Sequence, residues 1–245
     1  MTEVTPKLYP DLVGFKHRLP HLTEALGRKG NIKIVAIGSS STAGVGLIVP
    51  FPHRLELALR TRFYGRTIDV LNRGIGGQES PQELSRYGSD LLAEDPALVI
   101  WQVGTNAVYR KIDYSFADVE DAIAVGLDRL AALPMDVVLM DLQYTQAIVD
   151  ISNNDPPEQP GAPPLADDIE LRIARAAARA GVSVFQRWAL MKRWHADGVP
   201  IPDMGDASQL HTSEWATKWV SIALDCAIGA AVGSVRGARR QPFDI

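Results

Sequence analysis

Several things are scarce in this sequence, and each shortage removes a class of protein. Its 245 residues hold one cysteine, Cys226, which excludes an internal disulfide and a multi-cysteine metal site. Cys226 stands in an apolar helical pattern and reads as a small buried hydrophobe rather than a reactive thiol. No run of about 18 apolar residues occurs, and Met1 to Pro20 lacks the basic-then-apolar pattern of a secretory signal. The chain is therefore expected to be soluble and cytoplasmic, with no membrane partner. Concentrated positive charge is missing as well. The net charge is −4, which argues against nucleic acid or an anionic membrane as a partner. Arg236, Arg239 and Arg240 make only a short basic tail, expected to be solvated. His17, His21, His53 and His195 show no metal-ligand spacing, so no metal is expected and they read as structural or surface residues. No fixed-period repeat is visible, which excludes solenoids and propellers.

Apolar material is plentiful, at 46% hydrophobic against 22% charged residues, enough for one core. One domain is expected over 1–245, with a core at about 32–228, an N-terminal extension over 1–30 and a flexible tail over 233–245. The run Ile34-Val35-Ala36-Ile37 reads as a strand covered on both faces, and it breaks into Gly38-Ser39-Ser40-Ser41-Thr42. Leu55, Ala58, Leu59, Arg62 and Phe63 form a helical stripe that Gly65 ends. Ile68 to Leu71 is a second strand, followed by Asn72-Arg73-Gly74-Ile75-Gly76-Gly77-Gln78. Ser80 then reads as an N-cap, with Pro81 at the first helical position and Glu83 completing a capping box. Ala97 to Val103 is the third strand and ends in Gly104-Thr105-Asn106. A second capping box, Ser115 to Asp118, opens a helix with Phe116, Val119, Ile123, Leu127 and Leu130 inward.

Val137 to Met140 is the fourth strand, ending in Asp141-Leu142-Gln143-Tyr144. Residues 147–164 are rich in Asn, Asp, Pro and Gly and read as a long surface loop or lid. A helix over 165–180, a fifth strand over 182–185, a helical stretch over 188–194 and a final helix over about 214–228 complete the chain. A further short helix is expected over 10–26. The alternation implies a three-layer α/β/α sandwich around a parallel sheet of about five strands.

Ligands gather at the carboxyl ends of such strands, and the residue types there suit acyl transfer. A serine hydroxyl needs an adjacent base to become a nucleophile; Ser40 is the candidate nucleophile and His211 the base. The tetrahedral intermediate needs fixed donors for its oxyanion, which the Ser40 and Gly77 N–H groups and the Asn106 amide supply. Trp101, Gln143 and Tyr144, near strand ends, are expected to line the substrate pocket. Two other readings fail on spacing. Glu79 stands where a dinucleotide fingerprint needs its third glycine, and Thr42 replaces the second glycine of a Gly-x-Ser-x-Gly elbow.

These four blocks resemble the SGNH hydrolases, the GDSL-like lipase/esterase family. Gly38-Ser39-Ser40-Ser41-Thr42 matches Gly-Asp-Ser-x-Thr with Ser40 at the nucleophile. Asn72 to Gly77 is similar to the second block with Gly77 at the oxyanion glycine. Gly104-Thr105-Asn106 is similar to Gly-x-Asn, and His211 stands at the final histidine. The resemblance spans about 32–225 and implies a flavodoxin-like fold and cofactor-free hydrolysis of a small-molecule ester, such as an acetylated sugar or an acyl lipid. An acyltransferase or a non-catalytic ligand-binding protein would share the same frame. Two positions depart from the pattern. Ser39 replaces the aspartate before the nucleophile, and Ser208 replaces the aspartate three residues before His211. Support for the imidazole then falls to Asp206, to Asp203, or to no carboxylate at all, as in a Ser-His dyad.

Overall fold

A computed structural model describes residues 5–233. Five parallel strands, β1 (Asn31–Gly38), β2 (Thr67–Gly74), β3 (Leu98–Gln102), β4 (Asp136–Met140) and β5 (Ser183–Phe185), lie in the order β2-β1-β3-β4-β5. This is the three-layer α/β architecture expected. Ile34, Val35, Ala36 and Ile37 are fully buried because β1 is flanked by β2 and β3, with Gly38 opposite Gly74 and Ile37 opposite Trp101. The order reverses between β1 and β3, and ligands of such sheets bind outside the strand ends at that point. Right-handed crossovers then place the helix between β1 and β2, α4 (Phe51–Arg62), on one face, where it packs against the last helix, α12 (Glu214–Ala231). Helices α5 (Ser80–Ser85), α7 (Phe116–Ala131) and α9 (Leu165–Ala180) pack in series on the other.

Helix α7 shows why the pattern worked. Ser115 accepts the Asp118 N–H at 3.1 Å, and the stripe from Phe116 to Leu130 is buried. Gly126 lies on the same buried face, where a Cβ would lie 2.6 Å from the Trp101 ring. At α5 the capping register differs by one residue from expectation. Glu79, not Ser80, is the N-cap, paired reciprocally with Gln82. Ser80 is buried and gives its hydroxyl to the Val119 carbonyl of α7.

Two further expectations are corrected. The helix expected over 10–26 is two short ones, α1 (Pro10–Val13) and α2 (Pro20–Gly27). Gly14 turns extended between them and Pro20 lacks the N–H a continuous helix needs. The loop expected over 147–164 begins as a helix, α8 (Gln146–Asn154), which buries Ile148 and Ser152. Apolar spacing outweighed the polar composition there. Four helices remain: α3 (Ser40–Ala43), α6 (Thr105–Tyr109), α10 (Arg187–Ala196) and α11 (Ile201–Met204), with a π-turn at Gly88–Leu92. Cys226 is only half-buried, with Arg62 Nη2 3.7 Å from its sulfur. No helix among the described residues is long and apolar enough to cross a membrane. The basic tail lies outside the described residues.

Candidate active site

Strand β1 ends by turning straight into α3, and that turn presents Ser40. Ser39 is buried and is held to β3 by the side chain of Gln102, whose Oε1 accepts both the Ser39 hydroxyl (2.9 Å) and its N–H (3.2 Å). Ser40 is the first residue of α3, so its N–H has no acceptor one turn back. Glycine is required beside it for close approach. At Gly74 a Cβ would lie 2.1 Å from the Ala43 nitrogen, because the end of β2 runs directly over the α3 backbone.

His211 reaches the same point from the loop before α12. Its Nε2 is 2.9 Å from Ser40 Oγ. Behind the ring, Nδ1 is 3.4 Å from Asp206 Oδ2 and 3.4 Å from Ser208 Oγ. The Ser208 hydroxyl donates to Asp206 Oδ1 at 2.6 Å, so it bridges carboxylate and imidazole. Asp206, five residues before His211, reaches the ring because the loop is pinched shut. Gly205 pairs with Thr212 in an antiparallel bridge, the Asp206 N–H donates to the His211 carbonyl at 2.8 Å, and Gln209 turns through the left-handed region at φ 58. Asp203 is placed differently, in the first turn of α11, where its carbonyl accepts the Ser213 hydroxyl.

Two more strand-end loops complete the mouth. Gly77 has φ +78, a left-handed conformation that favours glycine, and its carbonyl accepts Tyr114 Oη (2.8 Å) and Arg110 Nη1 (3.1 Å). A Cβ on neighbouring Gly76 would be 3.9 Å from Ser40 Cβ, so this loop lies against the serine. Asn106, at the start of α6, donates one amide hydrogen to the Gln78 carbonyl at 2.7 Å. Its second amide hydrogen is left to donate elsewhere. Arg86 braces the same loops, donating to the Gly38 carbonyl (3.1 Å), the Arg73 carbonyl (2.7 Å) and Gln78 Oε1 (2.7 Å).

Beneath this mouth lie two buried carboxyls, Glu79 and Glu83. Burial pushes the Glu79 carboxyl up, against four backbone N–H bonds that pull it down. Glu83 is raised well above the ordinary range by burial and then by the Glu79 charge. Glu79 meets four backbone N–H donors, the setting that suits an ionised carboxylate, whereas Glu83 accepts from Trp101 Nε1. No cluster of three or more metal-ligating side chains occurs among the described residues.

The family model described as non-GDSL lipase-like matches residues 7–233. The chain belongs to that family. Its members' frame also recurs in solved structures at low identity, which supports the fold. An α/β hydrolase enzyme from the Lake Arreo metagenome is 20% identical with a TM-score of 0.64, over 82% of this chain and 96% of that one. The lipase/acylhydrolase of Enterococcus faecalis is 18% identical with a TM-score of 0.65, over 82% and 97%. A catalytic mutant of Axe2, an acetylxylan esterase of Geobacillus stearothermophilus, is 16% identical with a TM-score of 0.66, over 85% and 99%. No curated protein matches the sequence.

In this non-GDSL lipase-like chain the three residues expected to line the pocket do other work. Trp101 is fully buried in the core, its Nε1 donating to Glu83 Oε2 at 2.7 Å and its ring edge-on to Tyr87. Tyr144 packs edge-on to Trp188 and near His195. Gln143 is fully buried and ties the site loops together from behind. Its Oε1 accepts from Ser41 Oγ, Thr105 Oγ1 and Arg187 Nη2, and its Nε2 donates to the Leu210 carbonyl. Nearness to a strand end does not tell which face a side chain takes, and that is why these three were misplaced. Gln102, Arg86 and Glu79 were missed as site residues. Only Glu79 left a signal, as a carboxylate interrupting a glycine-rich loop.

Proposed function

We propose that the protein is a serine esterase acting on a carboxylic ester of short acyl chain, such as an acetylated carbohydrate. The observation that carries this reading is the 2.9 Å contact between His211 Nε2 and Ser40 Oγ, with Asp206 and Ser208 behind the same ring. His211 takes the Ser40 proton as Oγ attacks the carbonyl carbon, and the C=O electron pair moves onto the oxygen. The Ser40 and Gly77 N–H groups and the free Asn106 amide hydrogen stabilise that oxyanion; one such donor is worth about 10²–10³ in rate. Collapse expels the alcohol, which takes its proton from His211, leaving an acyl-Ser40. A water, deprotonated by His211, then attacks the acyl carbon and releases the acid. Asp206, helped by the Ser208 hydroxyl, orients the imidazole and stabilises its charged form.

The cleft beside Ser40 is small and walled by Val45, Ile48, Pro50 and Thr217, which favours a short acyl group over a long chain. The test is turnover of p-nitrophenyl acetate and of longer esters, with mass spectrometry after a fluorophosphonate. Wild type should favour acetate and gain one phosphonyl adduct, while Ser40→Ala should lose at least about 10⁴-fold in kcat/KM and take no adduct. A wild type that neither turns over nor labels would favour a ligand-binding role instead.

A further inference from the structure

Glu79 is a fully buried carboxylate, and among the described residues its bonds come from backbone N–H groups, not from charged side chains. Oε1 accepts from Ser80 (3.0 Å) and Gly104 (2.9 Å), and Oε2 accepts from Asn106 (3.0 Å) and Ala107 (3.1 Å). Three of these donors belong to the turn that carries Asn106. The turn can offer them because Gly104 adopts φ +92, which swings its N–H groups inward as a nest for an anion.

An ionised carboxylate accepts about four hydrogen bonds and donates none, so this cradle and this side chain saturate each other. Glutamine has the same shape but turns an NH₂ toward one of the two N–H pairs. A neutral group of equal size thus leaves two donors facing a donor, and the buried turn must shift. The return contact closes the clamp: Asn106 Nδ2 donates at 2.7 Å to the carbonyl of Gln78, the residue before Glu79. Gly77 lies one residue further back on the same segment. Both proposed oxyanion donors outside the nucleophile turn therefore hang on one side chain.

Resting on the esterase reading above, we propose that Glu79 is a positioning residue for the oxyanion site, fixing the Asn106 turn and the Gly77–Gln78 segment relative to Ser40. It touches no reacting atom. Its effect should appear when the oxyanion forms, in kcat, and should depend on Asn106 being present.

The experiment is a double-mutant cycle on the full chain with p-nitrophenyl acetate, using wild type, Glu79→Gln, Asn106→Ala and the double variant, with a thermal melt of each. Glu79→Gln is expected to lower kcat about 10²-fold with KM within about threefold, and to cost less than about threefold once Asn106 is alanine. Additive losses, an unchanged kcat, or a loss confined to KM overturn the role. If Glu79→Gln does not fold, Glu79→Asp, which keeps the charge and withdraws it by one methylene, takes its place in the cycle with the same opposing outcomes. Ser40→Ala separates the two levels of inference. An additive cycle with Ser40→Ala inactive overturns the Glu79 role alone, whereas turnover that survives Ser40→Ala, or a wild type without turnover, overturns the esterase reading and the role built on it.

Discussion

Serine at position 208 stands where the resemblance to the SGNH hydrolases implies an aspartate, and the local geometry shows what lies behind His211 instead. A serine can orient a ring but cannot supply charge, so the charge must come from elsewhere. In the proposed mechanism Asp206 supplies it from across a pinched loop, and Ser208 is bonded to both partners. The two residues should therefore separate kinetically. Asp206→Asn, which keeps the shape and removes the charge, is expected to lower kcat by about 10²–10⁴-fold. Ser208→Ala leaves the carboxylate 3.4 Å from Nδ1 and should cost about tenfold, near the value of one hydrogen bond. Steady-state kinetics of the two variants check this, and a Ser208→Ala loss equal to that of Asp206→Asn would mean that the serine, not the carboxylate, carries the orientation.

At the scale of elements, what aligns the site is close backbone approach, and glycines are its markers. Gly74→Ala would drive a Cβ to 2.1 Å from the Ala43 nitrogen and 2.6 Å from its Cα. Backbone cannot swing aside as a side chain can, so β2 and α3 must part. The expected outcome is loss of about 10²-fold or more in kcat/KM, since reacting groups tolerate little displacement, read with the same ester assay. Gly126 in α7 gives an opposite pair of effects to weigh. Alanine is favoured over glycine inside a helix by about 1 kcal/mol. Here its Cβ would meet the Trp101 ring at 2.6 Å and Tyr87 Oη at 2.7 Å, and overpacking costs about 1–3 kcal/mol. Trp101 is anchored through Nε1 to Glu83, so it yields little and the overpacking should win. Urea denaturation should show Gly126→Ala with a lower midpoint than wild type.

At the scale of the whole molecule, the edge of the sheet carries a second group of buried charge. Asp141, at the end of β4, and Glu170 of α9 both line a cavity of about 550 Å³ that runs along β5. Burial and the Asp141 charge, with Asp167 adding and Lys192 opposing, push the Glu170 carboxyl from 4.5 up to about 10. Burial likewise raises Asp141 to about 6. The folded state thus keeps a proton on Glu170 that the unfolded chain has released. Linkage then makes this contribution to stability fully present below about pH 4.5 and steadily lost as the pH rises toward 10. Glu170→Gln, permanently neutral, should flatten that decline between pH 5 and 9 in urea titrations. A slope equal to that of wild type would show that Glu170 is ionised in the folded protein.

Much of this was legible in the one-dimensional pattern. Period and punctuation located β1 and α9, and the inward stripe of α7 from Phe116 to Leu130, because burial repeats at 3.6 residues in helices and two-sided burial leaves unbroken apolar runs in strands. The four short blocks placed Ser40, Gly77, Asn106 and His211 at loop positions that the fold draws to one end of the sheet. Asp206 stood ahead of Asp203 in the sequence, and a dyad level with the two together, since spacing along a loop does not state how the loop closes. Only the Gly205–Thr212 bridge and the left-handed Gln209 brought Asp206 to the ring. Trp101, Gln143 and Tyr144 were set by tertiary structure alone, as was Glu79, because a side chain's face and partners depend on segments distant in the chain. Local chemistry determined which residues can act; packing between distant segments decided which of them meet.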